Sequence, residues 1–446
     1  MHATRTERTD MLGPIEMIAL ISTILSLWFI YKEHSHGIEK TAIAASLVGV
    51  LWLLVILKVP SFLDHMKEAG WEAASVVIFL LSAMAQVERL NHYHLFDRMR
   101  TGMLGMNLGD RIETVIIWII VAIGSMFLDN LTMALVGVTI ALRFFTGRNL
   151  LVVACGIIGM ANVLAAASPI GDITTYILWQ AGKFSWDEVI IIGFPPALVH
   201  CLVLGGLLIP LIHGSTRDLV EEPPPVMHWT DWTIIGYTLL TFLFPVIAFA
   251  VFDAPPFIGL VVGVGTSQLL SRFFGKYTNH ETHLESDISR FIREGDTDTV
   301  YFLFCMLMNV GALSALGILG DFSELLKGFF SPEWLAFGTS TVMGYVSAGV
   351  DNVPLASTML GVLQSTNASD WVYAAYTLGT GGSHLLVGSA AGLVVMGTIA
   401  VAHRAAREEG NPDLVPLLTS ETFFRIATWR VAIAYLAGAG TFLLLN

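Results

Sequence analysis

Long apolar runs separated by short polar stretches fill most of the chain. They fall at 12–31, 41–58, 71–89, 111–145, 150–181, 188–213, 229–251, 256–274, 298–320, 334–363, 371–402 and 423–445, with a polar stretch over 89–110. A helix needs about 20 apolar residues to cross a bilayer, so each run is a candidate span. Four runs do not fit one straight span. Segments 111–145, 150–181 and 334–363 are too long, and these three and 371–402 each carry a polar break near the middle. The first run is not followed by a small-residue cleavage site and has many similar runs after it, so it reads as a span and not as a removed signal peptide.

Charge decides what the long segments are. If 111–145 is a hairpin that enters and leaves on one side, then Arg89, Arg98, Arg100 and Arg111 share a face with Arg143 and Arg148. If 334–363 is a hairpin from the other side, ten crossings remain and both termini lie outside. Most of the 23 Lys and Arg then fall inside, including Arg272, Lys276, Arg290, Arg293, Arg404 and Arg407, as the positive-inside rule requires. Reading 111–145 as a crossing would place those six opposite the 89–111 cluster.

The two hairpins carry the same signature. Ser125-Met-Phe-Leu-Asp129-Asn130-Leu-Thr132 and Ser347-Ala-Gly-Val-Asp351-Asn352-Val-Pro354 both read Ser-x-x-x-Asp-Asn. The spacing from Asp129 to Asp351 matches, within one position, that from Ser168 of Ala167-Ser168-Pro169-Ile170-Gly171 to Ser389 of Gly388-Ser389-Ala390-Ala391-Gly392. Each half therefore holds a hairpin with Asp-Asn at its tip, followed by a span broken at Ser-x-x-Gly. Because the hairpins come from opposite sides, the repeat is inverted. The expected fold is an all-α polytopic membrane protein with two inverted repeats, each with a re-entrant helical hairpin and a broken transmembrane helix. Repeat 1 is expected over 111–213 (hairpin 111–145, broken helix 150–181). Repeat 2, with the last helix, is expected over 298–446 (hairpin 334–363, broken helix 371–402). Residues 1–110 form N-terminal scaffold helices and an interfacial segment, and 214–297 form scaffold helices and cytoplasmic loops between the repeats.

A helix that stops inside a membrane leaves N–H and C=O groups unpaired, which is tolerated only beside a cavity, water or an ion. Freed carbonyls with Asp, Asn, Ser and Thr oxygens make a hard-oxygen site suited to Na⁺ or Li⁺. A carboxylate at that depth costs about 2.5–3.5 kcal/mol on insertion scales. Desolvation favours its protonated form and a bound cation its charged form, so Asp129 and Asp351 each hold a proton or a cation. The bland alternative is that each Asp caps a half-helix N-terminus. Asp172, in Gly171-Asp172-Ile-Thr174-Thr175, is a third buried acid, with Leu393 as its counterpart in the second half; it is an ion ligand, a proton carrier or an N-cap. Asn162 and Ser383 occupy matched positions and serve as ligands or as helix–helix hydrogen bonds.

Composition confirms the class. Of 446 residues, 54% are hydrophobic and only 13% charged, unlike any soluble domain of this length. The net charge of −13 sits mostly in loops and argues against nucleic acid. Cys155, Cys201 and Cys305 lie in apolar runs without Cys-x-x-Cys spacing and read as packing residues. Asp298 at a span start reads as an interfacial cap. His200, His384 and Asn309 read as satisfied interior groups, with His384 next to Ser383 and placed to tune its surroundings. Asp110 and Glu113 read as a solvated helix start.

The strings FLDNLT, ASPIGDITT, VDNVP and GTGGSHLLVGSAAG resemble the NhaD-type sodium/proton antiporters of the ion transporter superfamily, through most of the chain from about residue 111. The resemblance implies a scaffold plus a transport domain, homodimerisation through the scaffold, elevator-like alternating access, and residence in a bacterial cytoplasmic membrane. It carries ion and proton roles onto Asp129, Asn130, Asp172, Thr174, Thr175, Asp351 and Asn352. Ser125, Thr132, Asn162, Ser168, Ser347, Ser383 and Ser389 support them, and Asp298 gains weight as a further candidate. The cargo is then Na⁺, with Li⁺, exchanged for H⁺, with Na⁺ at Asp129, Asn130, Asp172, Asp351 and Asn352 and no cofactor.

Two other functions compete. A carboxylate or arsenite carrier of the same superfamily would want Arg or Lys near the breaks, and the cores of the four broken segments hold none; related dicarboxylate transporters carry Ser where Asp stands at these tips. An intramembrane aspartyl protease would use two membrane acids as a dyad and resembles Gly-x-Gly-Asp around one of them, whereas this chain has Gly349-Val350-Asp351.

Overall fold

The apolar runs become helices and the polar breaks become their ends. The computed structural model describes residues 13–31, 38–104, 108–214, 227–277, 297–331, 334–349, 352–408 and 410–445. Among them there is no strand. The chain opens with α1 (Pro14–Tyr31), α2 (Lys40–Lys58), α3 (Phe62–His92) and α4 (Leu95–Leu104). The first broken region is α5 (Asp110–Ser125), α6 (Asn130–Phe144), α7 (Gly147–Ala165) and α8 (Ile173–Gln180), followed by α9 (Trp186–Leu208). Next come α10 (Trp229–Thr241), α11 (Phe244–Phe252), α12 (Pro256–Tyr277), α13 (Thr297–Ala315) and α14 (Ile318–Lys327). The second broken region is α15 (Leu335–Val346), α16 (Asn352–Val362), α17 (Ala368–Gly381) and α18 (Ala390–Glu408), and the chain closes with α19 (Ser420–Phe423), a π turn (Phe424–Thr428) and α20 (Trp429–Leu445).

Seven helices among the described residues are long and apolar enough to cross a bilayer alone, and an eighth if the bent pair α13–α14 counts as one. The expected ten exceed this because α1 is short and the broken segments do not make single rods. The predicted span 298–320 runs on and turns by 73° between α13 and α14, where Gly317 takes φ = 84°, a left-handed value that glycine adopts without strain. Helix α3 starts at Phe62, well before the predicted 71. Its first turns carry Asp64, Lys67 and Glu68 on the outside, a polar stretch that hides a helix from an apolarity count.

The outer surface is apolar, with Leu202, Leu269, Val251 and Leu436 among many exposed large side chains. The interior carries the polar groups. This inversion suits a lipid solvent, where exposed Leu costs nothing and polar groups must pair inside. In one group of helices α2 and α3 pack on α13, and α12 on α3. Arg89 of α3, fully buried, donates to Ser271 Oγ and Gln268 Oε1, each at 2.9 Å. Gln86 donates to Thr241 Oγ1 at 2.5 Å and Ser267 Oγ at 3.2 Å. Asn309 Nδ2 donates to Ala44 O at 3.1 Å. These bonds tie neighbouring helices where the hydrophobic effect does not.

In the other group, α5 and α6 double back as a hairpin. Asn149 Nδ2, in the first turn of α7, donates to Asp110 Oδ2 at 3.1 Å, and Arg111 Nε donates to Ile212 O at 3.1 Å. The start of α5, the start of α7 and the end of α9 thus lie together, so α5 leaves and α6 returns at one end. Here the expected solvated helix start is corrected: Glu113 is buried, because α5 packs against α6 and α7. At the second hairpin, Lys327 Nζ donates to Gln364 Oε1 at 3.1 Å and Ser323 Oγ to Val362 O at 2.7 Å, which brings the end of α16 beside α14 and the segment leading into α15. The three cysteines are free and buried.

Candidate functional site

The first hairpin tip is held by its own acid. Asp129 is the N-cap of α6: its Oδ1 accepts from Thr132 N at 2.9 Å and its Oδ2 from Thr132 Oγ1 at 2.5 Å. Asp172 does the same for α8, its Oδ2 accepting from Thr175 N at 3.1 Å. Thr175 Oγ1 lies 3.1 Å from both Asp172 Oδ2 and Ala166 O, and its single proton goes to one or the other. Both carboxylates are buried. Asn130 N donates to Gly171 O at 3.2 Å, so the peptide following Asp129 is hydrogen-bonded to the peptide preceding Asp172. Two half-helix N-termini, each closed by an aspartate, are therefore joined by one main-chain bond. Gly171 permits this approach, since a Cβ there would sit 2.0 Å from Ser125 O.

A polar chain runs from this tip to the other half. Asn130 Nδ2 donates to Asn162 Oδ1 at 2.9 Å, and Asn162 Nδ2 donates to Ser383 Oγ and Ser389 Oγ, each at 2.9 Å. Asn162 and Ser383 have no exposed surface. Ser383 lies in the 3₁₀ turn Gly382–His384 that ends α17, and Ser389 caps α18, accepting from Gly392 N at 3.2 Å. The breaks also meet directly. A Cβ on Gly379 of α17 would stand 2.8 Å from Ala166 Cβ and 3.0 Å from Asp172 Oδ2, so the absent side chain is the space Asp172 fills. The second tip seats against its own break: Ser347 Oγ donates to Leu378 O at 3.0 Å, and a Cβ on Gly388 would lie 2.5 Å from Ala348 O.

Of the residues singled out in the sequence, Asn130, Asn162, Ser383 and Ser389 form one connected network, and Asp129 and Asp172 flank it. Ser125 and Ser168 are buried nearby: Ser125 Oγ donates to Ala122 O at 2.8 Å and Ser168 Oγ accepts from Ile170 N at 3.3 Å. Thr174 and Asn352 are buried. Asp351 and the side chain of Asp298 lie outside the described residues. Among those residues no group of three or more His, Cys, Asp or Glu gathers for a metal; the oxygens here are amide, hydroxyl and carbonyl around separate carboxylates, all hard donors. Among the described residues no lysine or arginine bonds into the network. His384 Nδ1 donates to Gly381 O at 2.8 Å with its ring against Tyr345 and Tyr435, and His200 Nδ1 lies 3.0 Å from Tyr376 Oη. Both are interior, but the expectation of satisfied groups is corrected: each leaves its Nε2 buried without a hydrogen-bond partner among the described residues, because apolar and aromatic side chains pack around the rings. Sequence reading missed Gly379, whose only signal was the run Gly379-Thr-Gly381-Gly382.

Spanning helices, helices that stop inside the bundle, and buried polar groups at the stops define an integral membrane protein of the secondary-transporter class. The family model described as citrate transporter, CitMHS, matches residues 26–392. The Na⁺/H⁺ antiporter NhaD of Vibrio cholerae is 31% identical over 73% of this chain and 72% of its own, and that of Alkalimonas amylolytica 27% identical over 82% and 80%. The chain belongs to the citrate transporter family and, within it, to the NhaD-type sodium/proton antiporters. The crystal structure of the Alcanivorax borkumensis YdaH transporter shares the fold, with a TM-score of 0.56 over 95% of this chain and 98% of that one at 12% identity.

Proposed function

We propose that the protein exchanges cytoplasmic Na⁺, and Li⁺, for external H⁺ by alternating access. The observation that carries this reading is the main-chain bond from Asn130 to Gly171, which holds two buried, helix-capping aspartates beside a network free of basic groups. A buried carboxylate without a permanent cationic partner is costly when charged, and a proton or a small cation relieves that cost. The two compete for the same oxygens, and competition gives exchange when the carrier crosses only with one or the other bound. In the proposed cycle, Na⁺ from the inner side displaces protons from Asp129, Asp172 and Asp351, with Asn130 and Asn352 as neutral ligands. The loaded hairpins and broken helices of two inverted repeats move against the scaffold. Na⁺ leaves outside and protons return the carrier. Residues 111–213 and 298–446 are the repeats in this reading, and a homodimer through the scaffold is its assembly.

The relatives named as Na⁺/H⁺ antiporters support the cargo. The description of the family model points instead to a carboxylate, and half-helix N-termini do attract anions. Here, however, those N-termini already hold Asp129 and Asp172, whose charge repels a second carboxylate. Proteoliposomes with a trapped pH-sensitive dye decide between them. Na⁺ and Li⁺ should dissipate an imposed pH gradient in the wild type and fail to do so in Asp129→Asn and Asp351→Asn. A wild type silent to Na⁺ across pH 6–9 that accumulates citrate would overturn the assignment.

A further inference from the structure

A basic cavity lies away from the polar network, where the start of α7, the end of α9 and the π turn before α20 meet. Its volume is about 430 Å³, and Arg148, Arg425 and Arg430 line it. Glu421 is the one carboxylate among the described lining residues, and it is taken by Arg425 at 2.6 Å. Arg148 and Arg430 are close enough to repel each other. Arg430 is fixed in place: its Nε donates to Leu207 O at 3.1 Å and its guanidinium stacks 4.1 Å from the Trp429 ring. Arg148 makes no hydrogen bond or ion pair among the described residues. Three guanidinium groups against one carboxylate leave the cavity with excess positive charge, which suits an anion.

We infer that this cavity seats the phosphodiester headgroup of an anionic phospholipid. Three observations favour a lipid over a soluble anion. The cavity opens at helix ends, where headgroups lie. Apolar side chains of Leu151, Leu211 and Ile426 also line it, beside Thr422. Beside it Trp429 and Phe424 face outward, 48% and 61% exposed, a pairing of aromatic and basic side chains that marks a bilayer interface. Arginine suits the role because its planar fork binds two phosphate oxygens together. The π turn Phe424–Thr428 inserts the extra residue that re-aims the helix start, a distortion often kept at ligand sites.

The test titrates the full-length protein in nonionic detergent with phosphatidylglycerol, phosphatidylcholine or inorganic phosphate. Native mass spectrometry counts retained lipid, and Tm is followed in parallel. Phosphatidylglycerol should be retained and raise Tm, and phosphatidylcholine should do neither. Arg148→Gln should weaken phosphatidylglycerol binding about fivefold with an unchanged Tm in its absence. Arg404→Gln, which removes an exposed arginine outside the cavity, should bind as the wild type. Equal binding by Arg148→Gln and wild type, or equal loss in Arg404→Gln, overturns the site. Should Arg148→Gln misfold, Arg425→Gln replaces it under the same criteria. If inorganic phosphate protects as well as the lipid does, the occupant is a soluble anion and the lipid assignment fails.

Discussion

Asn162→Ala removes the side chain on which the two halves meet. Asn162 has no exposed surface and takes part in three hydrogen bonds of 2.9 Å, one from Asn130 and two to Ser383 and Ser389. Interhelical bonds in membranes average about 0.6 kcal/mol each, which gives a loss of about 2 kcal/mol. At the roughly 1 kcal/mol typical of soluble proteins the loss is about 3 kcal/mol. The assay is equilibrium unfolding in mixed nonionic detergent and dodecyl sulfate micelles, followed by tryptophan fluorescence. A double-mutant cycle with Asn130→Ala isolates one bond and should show coupling of roughly 0.6–1.7 kcal/mol. Ser347→Ala is the control partner, since its hydroxyl bonds Leu378 O and not Asn162; that pair should add. Additivity of Asn130→Ala and Asn162→Ala within about 0.3 kcal/mol would refute the reasoning, because the bond would then carry no energy.

Gly379→Ala should destabilise by about 1–3 kcal/mol through overpacking and raise the KM for Na⁺, because the new methyl meets Ala166 and Asp172. Gly397→Ala, with nothing within 4 Å of the added Cβ, should leave exchange intact and be neutral or stabilising by up to about 1 kcal/mol; thermal melts and dye assays of the pair separate crowding from glycine loss. Thr132→Val keeps the main-chain donor to Asp129 but deletes the hydroxyl, and should raise the KM for Na⁺ with little loss of stability, read from initial rates against Na⁺. Ser389→Ala loses both the α18 cap and the bond from Asn162 and should cost about 1–2 kcal/mol in the same unfolding assay.

The apolar runs and their polar breaks made the helices legible in the sequence, and with them the doubling back of α5 and α6, since a bilayer forces a helix wherever a run is long enough. The Ser-x-x-x-Asp-Asn string at Ser125 located the first tip, and Asp129 and Asp172 cap helices where the bland reading put them. The partners of Asn162 were not legible. Residue spacing aligns it with Ser383, but only the crossing of α7 and α17 turns that alignment into a contact. Gly379 was hidden for a related reason: its role is an absence that Asp172 fills from another helix. Glu113 misled because an acid in a first turn reads the same whether it faces water or a neighbouring helix.

The chain from Asn130 through Asn162 to the two serines has a property set by its middle link. A primary amide gives hydrogen bonds from nitrogen and takes them at oxygen, but it does not pass a proton along as water or a hydroxyl does. Asn162 is thus an insulator in the relay sense. It ties the two broken helices together mechanically while offering no proton relay between Asn130 and the two serines.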